Sequence, residues 1–590
     1  MPKISAWAAC TGCTCPNHHL PSYSFSPIPR ISDNPDWTRL THTNDLPLPS
    51  QENTLSAIIS SHKQYLHRLD LEKSCLHSLL LDLKKQLKEK INILDQERRH
   101  VSEAIHECQG IISPVRRLPP ELLCQIFLGT IERAQATVDM YAQLQVIKSV
   151  GYSPLSISSV SMKWRSIALS FPQLWSSINI LLRVRDDGSI DDLSSKPYRL
   201  YFDRSQGYPL SISIYDFTAT MMVDLPAYLT TVLSSSSMRI QELALHLSGY
   251  LFAEISSMQL SLPVLETLTL HSTVGEDLDE YDTICLFAST PSLTSLKFID
   301  VVAPYFNFEL PWSQVKRYRS IHCDDSVQDI ARPHWHLKAL RELQQVEECI
   351  LRLGEPSLES QFEGDIFPLV CPRLRTLGLS SPITGGGEAH STFQQIADRL
   401  SLPSLTTLKV SCFQKDDEPS RTFPSICHLL NRSKPPITTL QFDNGLILTE
   451  DLLNLFRATH TLEDVRIVTH DVFTSEVLEE LTVDHTPSNS GDVVLPRLRH
   501  FVMEGGRLKQ EQFVRMIQSR WNIGQSSRVE RLRTLKLSCE KQSVDALKRV
   551  VFGGLEVCIR EGFSVEIGSI LLAKDVDWQA PLMHIFFEYK

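Results

Sequence analysis

A six-residue pattern, apolar-x-x-apolar-x-apolar, keeps returning from residue 240 to residue 537 and limits the fold more than any other feature. It begins at Ile240/Leu243/Leu245 and recurs at Leu265/Leu268/Leu270, Leu293/Leu296/Phe298, Val346/Cys349/Leu351, Leu374/Leu377/Leu379, Leu405/Leu408/Val410, Ile437/Leu440/Phe442, Leu462/Val465/Ile467, Leu498/Phe501/Met503 and Leu532/Leu535/Leu537. Alternation within each copy is that of a short strand with one buried face. Spacings run from 25 to 36 residues, with one double-length gap in which Val315, Tyr318 and Ile321 read as a degraded copy. Five copies carry Pro two residues before the first apolar position (Pro263, Pro291, Pro372, Pro403, Pro496), which suggests a strand start that donates no ladder hydrogen bond. Helical periodicity fills several gaps, at residues 392–400, 450–457, 510–517 and 543–551.

Such a unit cannot bury its apolar face alone, whereas stacked copies share one core. A strand and a helix per repeat of this length resemble the leucine-rich repeats, here irregular and without a reliable Asn at the turn, which would curve into a horseshoe. A mixed α/β domain with several Leu-rich strands fits the same spacing. Non-apolar strand positions then form an opposite face. One of its columns is mostly Thr or Ser, and the other carries Lys297, Lys409, Arg466 and Lys536, a basic line suited to an acidic or phosphorylated segment. Thr in these positions is also explained by β propensity alone.

A different pattern precedes the array. In Leu118-Pro119-Pro120-Glu121-Leu122-Leu123-Cys124-Gln125-Ile126-Phe127, the prolines fix φ where a helix begins and Glu121 suits its positive end. Leu122, Leu123, Ile126 and Phe127 then form an apolar stripe of about two turns. In Val160-Ser161-Met162-Lys163-Trp164-Arg165-Ser166-Ile167-Ala168, Val160, Trp164, Ile167 and Ala168 share a second face, which Pro172 ends before Leu174, Trp175 and Ile178. Read from periodicity, these helices are either a hairpin in a larger core or a surface that a partner completes.

The order Leu-Pro-x-Glu-Leu-Leu-x-x-Ile-Phe, then Val-x-x-x-Trp-Arg-x-Ile-Ala and Leu-Trp, resembles the F-box. Followed by such repeats, it resembles the F-box proteins abundant in mushroom-forming fungi. The resemblance implies docking on the Skp-type adaptor of a cullin-RING ubiquitin ligase through Leu118, Pro119, Leu122, Leu123, Ile126, Phe127, Val160 and Trp164, with the repeats holding a protein target. This chain departs from the family's pattern in the longer stretch between Phe127 and Val160, which includes residues 137–153, and in Ser161, where Cys is common. Those departures keep open an alternative, a scaffold of coiled coil and repeats that joins no ligase.

Residues 51–110 contain no Pro and repeat apolar residues on a heptad. Ile59, Leu66, Leu80, Leu87, Leu94 and Val101 mark one position, and Leu69, Leu76, Leu83 and Ala104 the other, so ten of fourteen seam positions are apolar. Lys73, His62, Lys90 and Glu97 interrupt them. This is a coiled-coil expectation, with a homodimer through residues 55–105 or folding back as its two forms. The Pro-rich residues 1–50 read as a disordered leader.

The expected division is therefore leader 1–50, coiled coil 51–110, F-box 113–180 and repeats 196–590, an α/β fold of coiled-coil helix, small helical unit and repeat solenoid. Acids outnumber Lys and Arg 69 to 58, which argues against nucleic acid as a partner. No membrane-length apolar run or signal peptide appears, and fourteen scattered Cys suit a reducing cytoplasm or nucleus. Cys10, Cys13, Cys15 and His18 offer enough ligands for one zinc ion, but no second ligand cluster lies nearby, so no metal or other cofactor is expected. No phosphate loop follows from Gly385-Gly386-Gly387, which lacks Lys-Ser/Thr, and no nucleophile or metalloprotease pattern surfaces. The expected role is non-catalytic.

Overall fold

Because each apolar hexapeptide must find a neighbour, the repeats pair in the order in which they are written. In the computed structural model, fourteen parallel strands form one sheet whose order follows the chain. They are β1 (Ser177–Leu182), β2 (Leu210–Asp216), β3 (Ile240–Leu247), β4 (Thr267–Ser272), β5 (Ser295–Ile299), β6 (Arg317–Ile321), β7 (Glu348–Arg352), β8 (Thr376–Thr384), β9 (Thr407–Gln414), β10 (Thr439–Asp443), β11 (Asp464–Val468), β12 (His500–Glu504), β13 (Thr534–Glu540) and β14 (Ser564–Ile570). Leu369–Val370 and Leu400–Ser401 make a separate two-stranded pair. The structure describes Trp37, Leu40, Leu225 and residues 46–135, 154–182, 195–216, 227–258, 260–272, 283–301, 308–321, 333–352, 368–384, 389–414, 422–443, 448–468, 474–483, 493–504, 509–523, 529–540 and 544–570. The cysteines Cys10, Cys13 and Cys15, His18, the three glycines from Gly385, and residues 137–153 lie outside them.

The chain divides into two units, Met1–Leu118 and Pro119–Lys590. Unit one holds α1 (Pro49–Ile112), a single helix of 64 residues. Pro49 opens it, and Gln51 Oε1 accepts from the Leu48 N–H at 2.9 Å.

The second unit starts with α2 (Pro120–Gln135), α3 (Pro154–Val160) and α4 (Met162–Leu169), followed by the sheet. Between strands lie α5 (Ser195–Arg204), α6 (Ala227–Ser236), α7 (Gly249–Ser257), α8 (Pro333–Glu342), α9 (Ala389–Ala397), α10 (Thr422–Ser433), α11 (Thr449–Ala458), α12 (Ser475–Leu481), α13 (Gln510–Trp521), α14 (Val544–Gly554) and α15 (Glu556–Arg560). Helices α8 to α14 pack in succession, as the strands do. One continuous apolar core runs from Ile178 to Phe563 and contains the three apolar positions of every copy. Each fully buried Leu contributes about 1.5–3 kcal/mol of transfer free energy, so the array depends on every copy keeping its phase.

Two expectations are corrected and one is met. The sheet begins at Ser177, inside the stretch assigned to the helical unit, and Ile178 is a buried strand residue. The degraded copy at Val315, Tyr318 and Ile321 does form a strand, β6, with Ser320 in the third apolar position. The five prolines do not start strands; each sits four residues before its strand as the second residue of a turn. Those turns close through Leu265 N–H to Leu262 O, Leu293 to Thr290, Leu374 to Cys371, Leu405 to Leu402 and Leu498 to Leu495, at 3.2–3.4 Å. Position i+1 of a turn is where the fixed φ of Pro costs least.

A second device locks adjacent repeats. From β4 to β12, the carbonyl just before the strand accepts two N–H groups from the next repeat. Thus Thr406 O takes Thr438 N at 2.8 Å and Thr439 N at 3.0 Å, and Glu463 O takes Arg499 N at 2.8 Å and His500 N at 2.9 Å. Arginines close the helix ends. Arg432 of α10 donates to Ala397 O at 2.7 Å and to Leu400 O just beyond α9; Arg520 of α13 donates to Leu481 O at 2.6 Å, Leu495 O at 2.8 Å and Val494 O at 2.6 Å. Orphan C-terminal carbonyls are thereby satisfied without water. Arg520 is fully buried, and desolvation lowers its pKa to about 10.

Removing that guanidinium takes a donor from three buried carbonyls, of which Leu495 O keeps its turn bond to Leu498 N–H. Arg520→Leu is expected to cost about 3–5 kcal/mol, read as a lowered thermal midpoint with unchanged circular dichroism at low temperature. Arg520→Lys should recover little, since one ammonium cannot span three carbonyls.

Candidate functional site

Two surfaces carry the residues singled out in the sequence, the helical cluster before the sheet and the polar face of the sheet. In α2 the apolar stripe splits. Residues four apart share a face, so Leu123 and Phe127 turn inward together while Leu122 and Ile126 turn outward. Leu123 is 0% exposed and Phe127 1%, against 51% for Leu122 and 48% for Ile126. The Phe127 ring lies 4.8 Å from that of Trp164, tilted by 55°. As placed, Leu123 and Phe127 are internal supports rather than contact residues.

Ser161 caps α4, accepting the Trp164 N–H at 3.1 Å, so the departure from Cys has a local structural use. Arg165 Nε donates to Ser158 O at 3.0 Å, tying α4 to α3. Trp175 donates from Nε1 to Ala168 O at 2.7 Å, meets the Tyr201 ring edge-on at 5.2 Å and lies under the Arg204 guanidinium. It is the fully buried link between the helices and the sheet. With the core thus filled, Leu122, Ile126, Leu155, Val160 and Met162 remain in solvent on three consecutive helices. Pro119 is also exposed and Trp164 half-buried; Leu118, at the end of the first unit, is half-buried. Large apolar side chains left in solvent are uncommon enough to make these residues candidates for an interaction surface.

On the sheet face, strand register puts Lys297, Lys409, Arg466 and Lys536 in one row, with Arg319 of β6 beside Lys297. Arg319 was missed because its repeat was read as degraded. The row is not a bare cationic strip. Arg319 Nε reaches Glu348 Oε1 at 3.0 Å, Arg466 reaches Glu504 Oε1 at 2.9 Å, and Lys536 Nζ reaches Glu566 Oε1 at 3.4 Å. Neighbouring parallel strands are about 4.8 Å apart, within reach of these long side chains, so Glu on the adjoining strand neutralises part of the line. At Gly378, near the centre of the row, a Cβ would lie 3.2 Å from Ile350 Cγ1, so Ile350 would have to give way to any larger residue.

A titratable group that the sequence did not suggest sits at the C-terminal ends of β2 to β5. Tyr215, His246 and His271 are register partners. His246 stacks on Tyr215 at 4.5 Å, its Nδ1 is 2.9 Å from His271 Nδ1, and His271 Nε2 is 3.2 Å from Asp300 Oδ2. A single proton fits between the two Nδ1 atoms, so only one can donate. Burial, then His271, then Lys297 hold His246 well below the usual histidine pKa. Among the described residues no group of three or more His, Cys, Asp or Glu is arranged to hold a metal ion, and no helix is long and apolar enough to cross a membrane. The chain matches no model of a known protein family and no curated protein.

Two predictions follow from burial. Phe127→Ala should destabilise the fold by about 3–5 kcal/mol, whereas Ile126→Ala should change it little, as read by chemical unfolding. For His246 the folded pKa is depressed, so the unfolded chain binds the extra proton as pH falls below about 6.5. Stability is therefore expected to be full above that pH and to fall toward pH 5. The slope should be shallower in His246→Gln, as measured from unfolding midpoints at several pH values.

Proposed function

We propose that this chain is the target-binding subunit of an SCF-type cullin-RING ubiquitin ligase. The observation that carries the reading is the division within α2, where Leu123 and Phe127 build a rigid support and Leu122 and Ile126 stand in solvent. With Pro119 and Val160 also exposed, this is the apolar surface that a helical groove of a Skp-type adaptor would cover. Trp164 borders it in the same reading, and Leu118, which ends the first unit, is the further contact that the resemblance implies.

The repeats form, in this reading, an irregular leucine-rich-repeat solenoid whose strand face holds a protein target. Ion pairing at Arg466 and Lys536 favours a mixed polar target over a purely acidic one, with Lys297 and Lys409 as further contacts on that row. The chain itself supplies no catalytic group. It brings the target to a ligase-bound conjugating enzyme, and catalysis is proximity. Such an assembly works in the cytoplasm or nucleus.

The test is binding of the full chain to a Skp-type adaptor, with Leu122→Asp plus Ile126→Asp as the control. Burying two unpaired carboxylates costs several kcal/mol, so the double variant should lose adaptor binding while keeping its unfolding midpoint. Failure of the intact chain to bind would sink the ligase reading and leave the repeat scaffold.

A further inference from the structure

A seam other than the strict heptad from Ile59 can be traced along α1. A line stepping by three or four residues runs from Leu55 and Ile58 through Leu69 and Leu76 to Leu83, and it continues through Leu87 to Ile112 after one extra four-residue step at 83–87–91. One step of four where three is due shifts the seam by one heptad position without ending it. It also removes two apparent defects, because Lys90 and Glu97 now flank the seam instead of sitting in it.

The two halves differ in cover. Leu55, Ile58, Leu69 and Leu76 are half-buried, whereas every member of the line from Leu87 onward is exposed. Leu94, at 68%, and Ile105, at 50%, are examples. The exposed part is 26 residues, about 39 Å of helix.

We infer that a second copy of this chain covers residues 87–112, as a parallel, in-register, two-stranded coiled coil. Ile91, Ile105 and Ile112 occupy the first core position of each heptad, and Leu87, Leu94 and Val101 the second. β-branched residues at the first position with Leu at the second favour two parallel strands. Arg98 takes the remaining first position, and a single polar residue there fixes register and strand number at some cost in stability. Its long stem can snorkel toward Glu97, which flanks the seam of the other copy. Lys90 and Asp95 stand at flanking positions five residues apart, so each Lys90 faces the partner copy's Asp95 in parallel register. Cys108 fills the last second-type position, where it meets its own copy across the axis only if the two helices are parallel and in register. The inference does not rest on the ligase reading.

The full chain under reducing conditions should elute with the mass of two copies by light scattering, and Leu94→Asp plus Ile105→Asp should halve that mass while leaving far-ultraviolet helicity unchanged. Mild oxidation should cross-link the native chain and Cys75→Ser, and not Cys108→Ser. A monomer at all micromolar concentrations overturns the inference, meaning that the seam is covered by the chain's own segments or not at all. So does a dimer that survives the double substitution, or a cross-link that depends on Cys75.

Discussion

Register is the constraint on which the second unit depends. Side chains alternate across a strand, so a slip of one residue would carry every inward Leu of a repeat to the polar face. Two features hold each repeat in phase besides its apolar triplet. From β4 to β12 the carbonyl before the strand accepts two amides from the next repeat, and arginines such as Arg432 and Arg520 close the ends of preceding helices. The first fixes the strands along their axis. The second fixes the helices, whose carbonyls would otherwise be buried without partners.

The helical cluster inherits its geometry from that sheet. Trp175 is buried against Tyr201 of α5 while holding the last turn of α4 by Ala168 O, so the position of α4 follows from the start of the array. Trp164 then carries Phe127, and Phe127 sets the roll of α2. What α2 shows to solvent is decided by what it must bury. Leu122 and Ile126 are the remainder once Leu123 and Phe127 are satisfied.

Much of this was legible in the sequence because apolar spacing is a direct record of burial. The hexapeptides located eleven of the fourteen strands once the copy at Val315 is included. β1 escaped although Trp175/Ile178/Ile180 completes the hexapeptide, because Trp175 and Ile178 also continue the helical unit's apolar pattern. β2 has Pro209 in place of the leading apolar residue, and in β14 Val565/Ile567 follows Phe563 in a shortened form. The prolines were placed on the wrong side of the strand boundary, since a donor-free position is equally useful in a turn. Pattern alone grouped Leu122 with Leu123 as one stripe; which of two adjacent residues turns inward is set by Trp164, far along the sequence. The pairing of Arg466 with Glu504 was hidden for the same reason, since 38 residues separate them. Arg520 reads as a helix-end charge in the sequence and becomes a buried clasp only when the preceding helix is in place.

Strand order equal to chain order has a further meaning. Every repeat touches its predecessor and successor and little else, so connections between strand and helix can lengthen or shorten without moving the row of side chains on the sheet face. The surface can therefore change its chemistry one strand at a time, and a lineage could exchange Lys409 or Gln441 while its core triplets stay fixed. The same linear design makes assembly local. Adjacent repeats can form before distant ones have been synthesised, so a sheet of fourteen strands need not wait for its last strand before its first is stable.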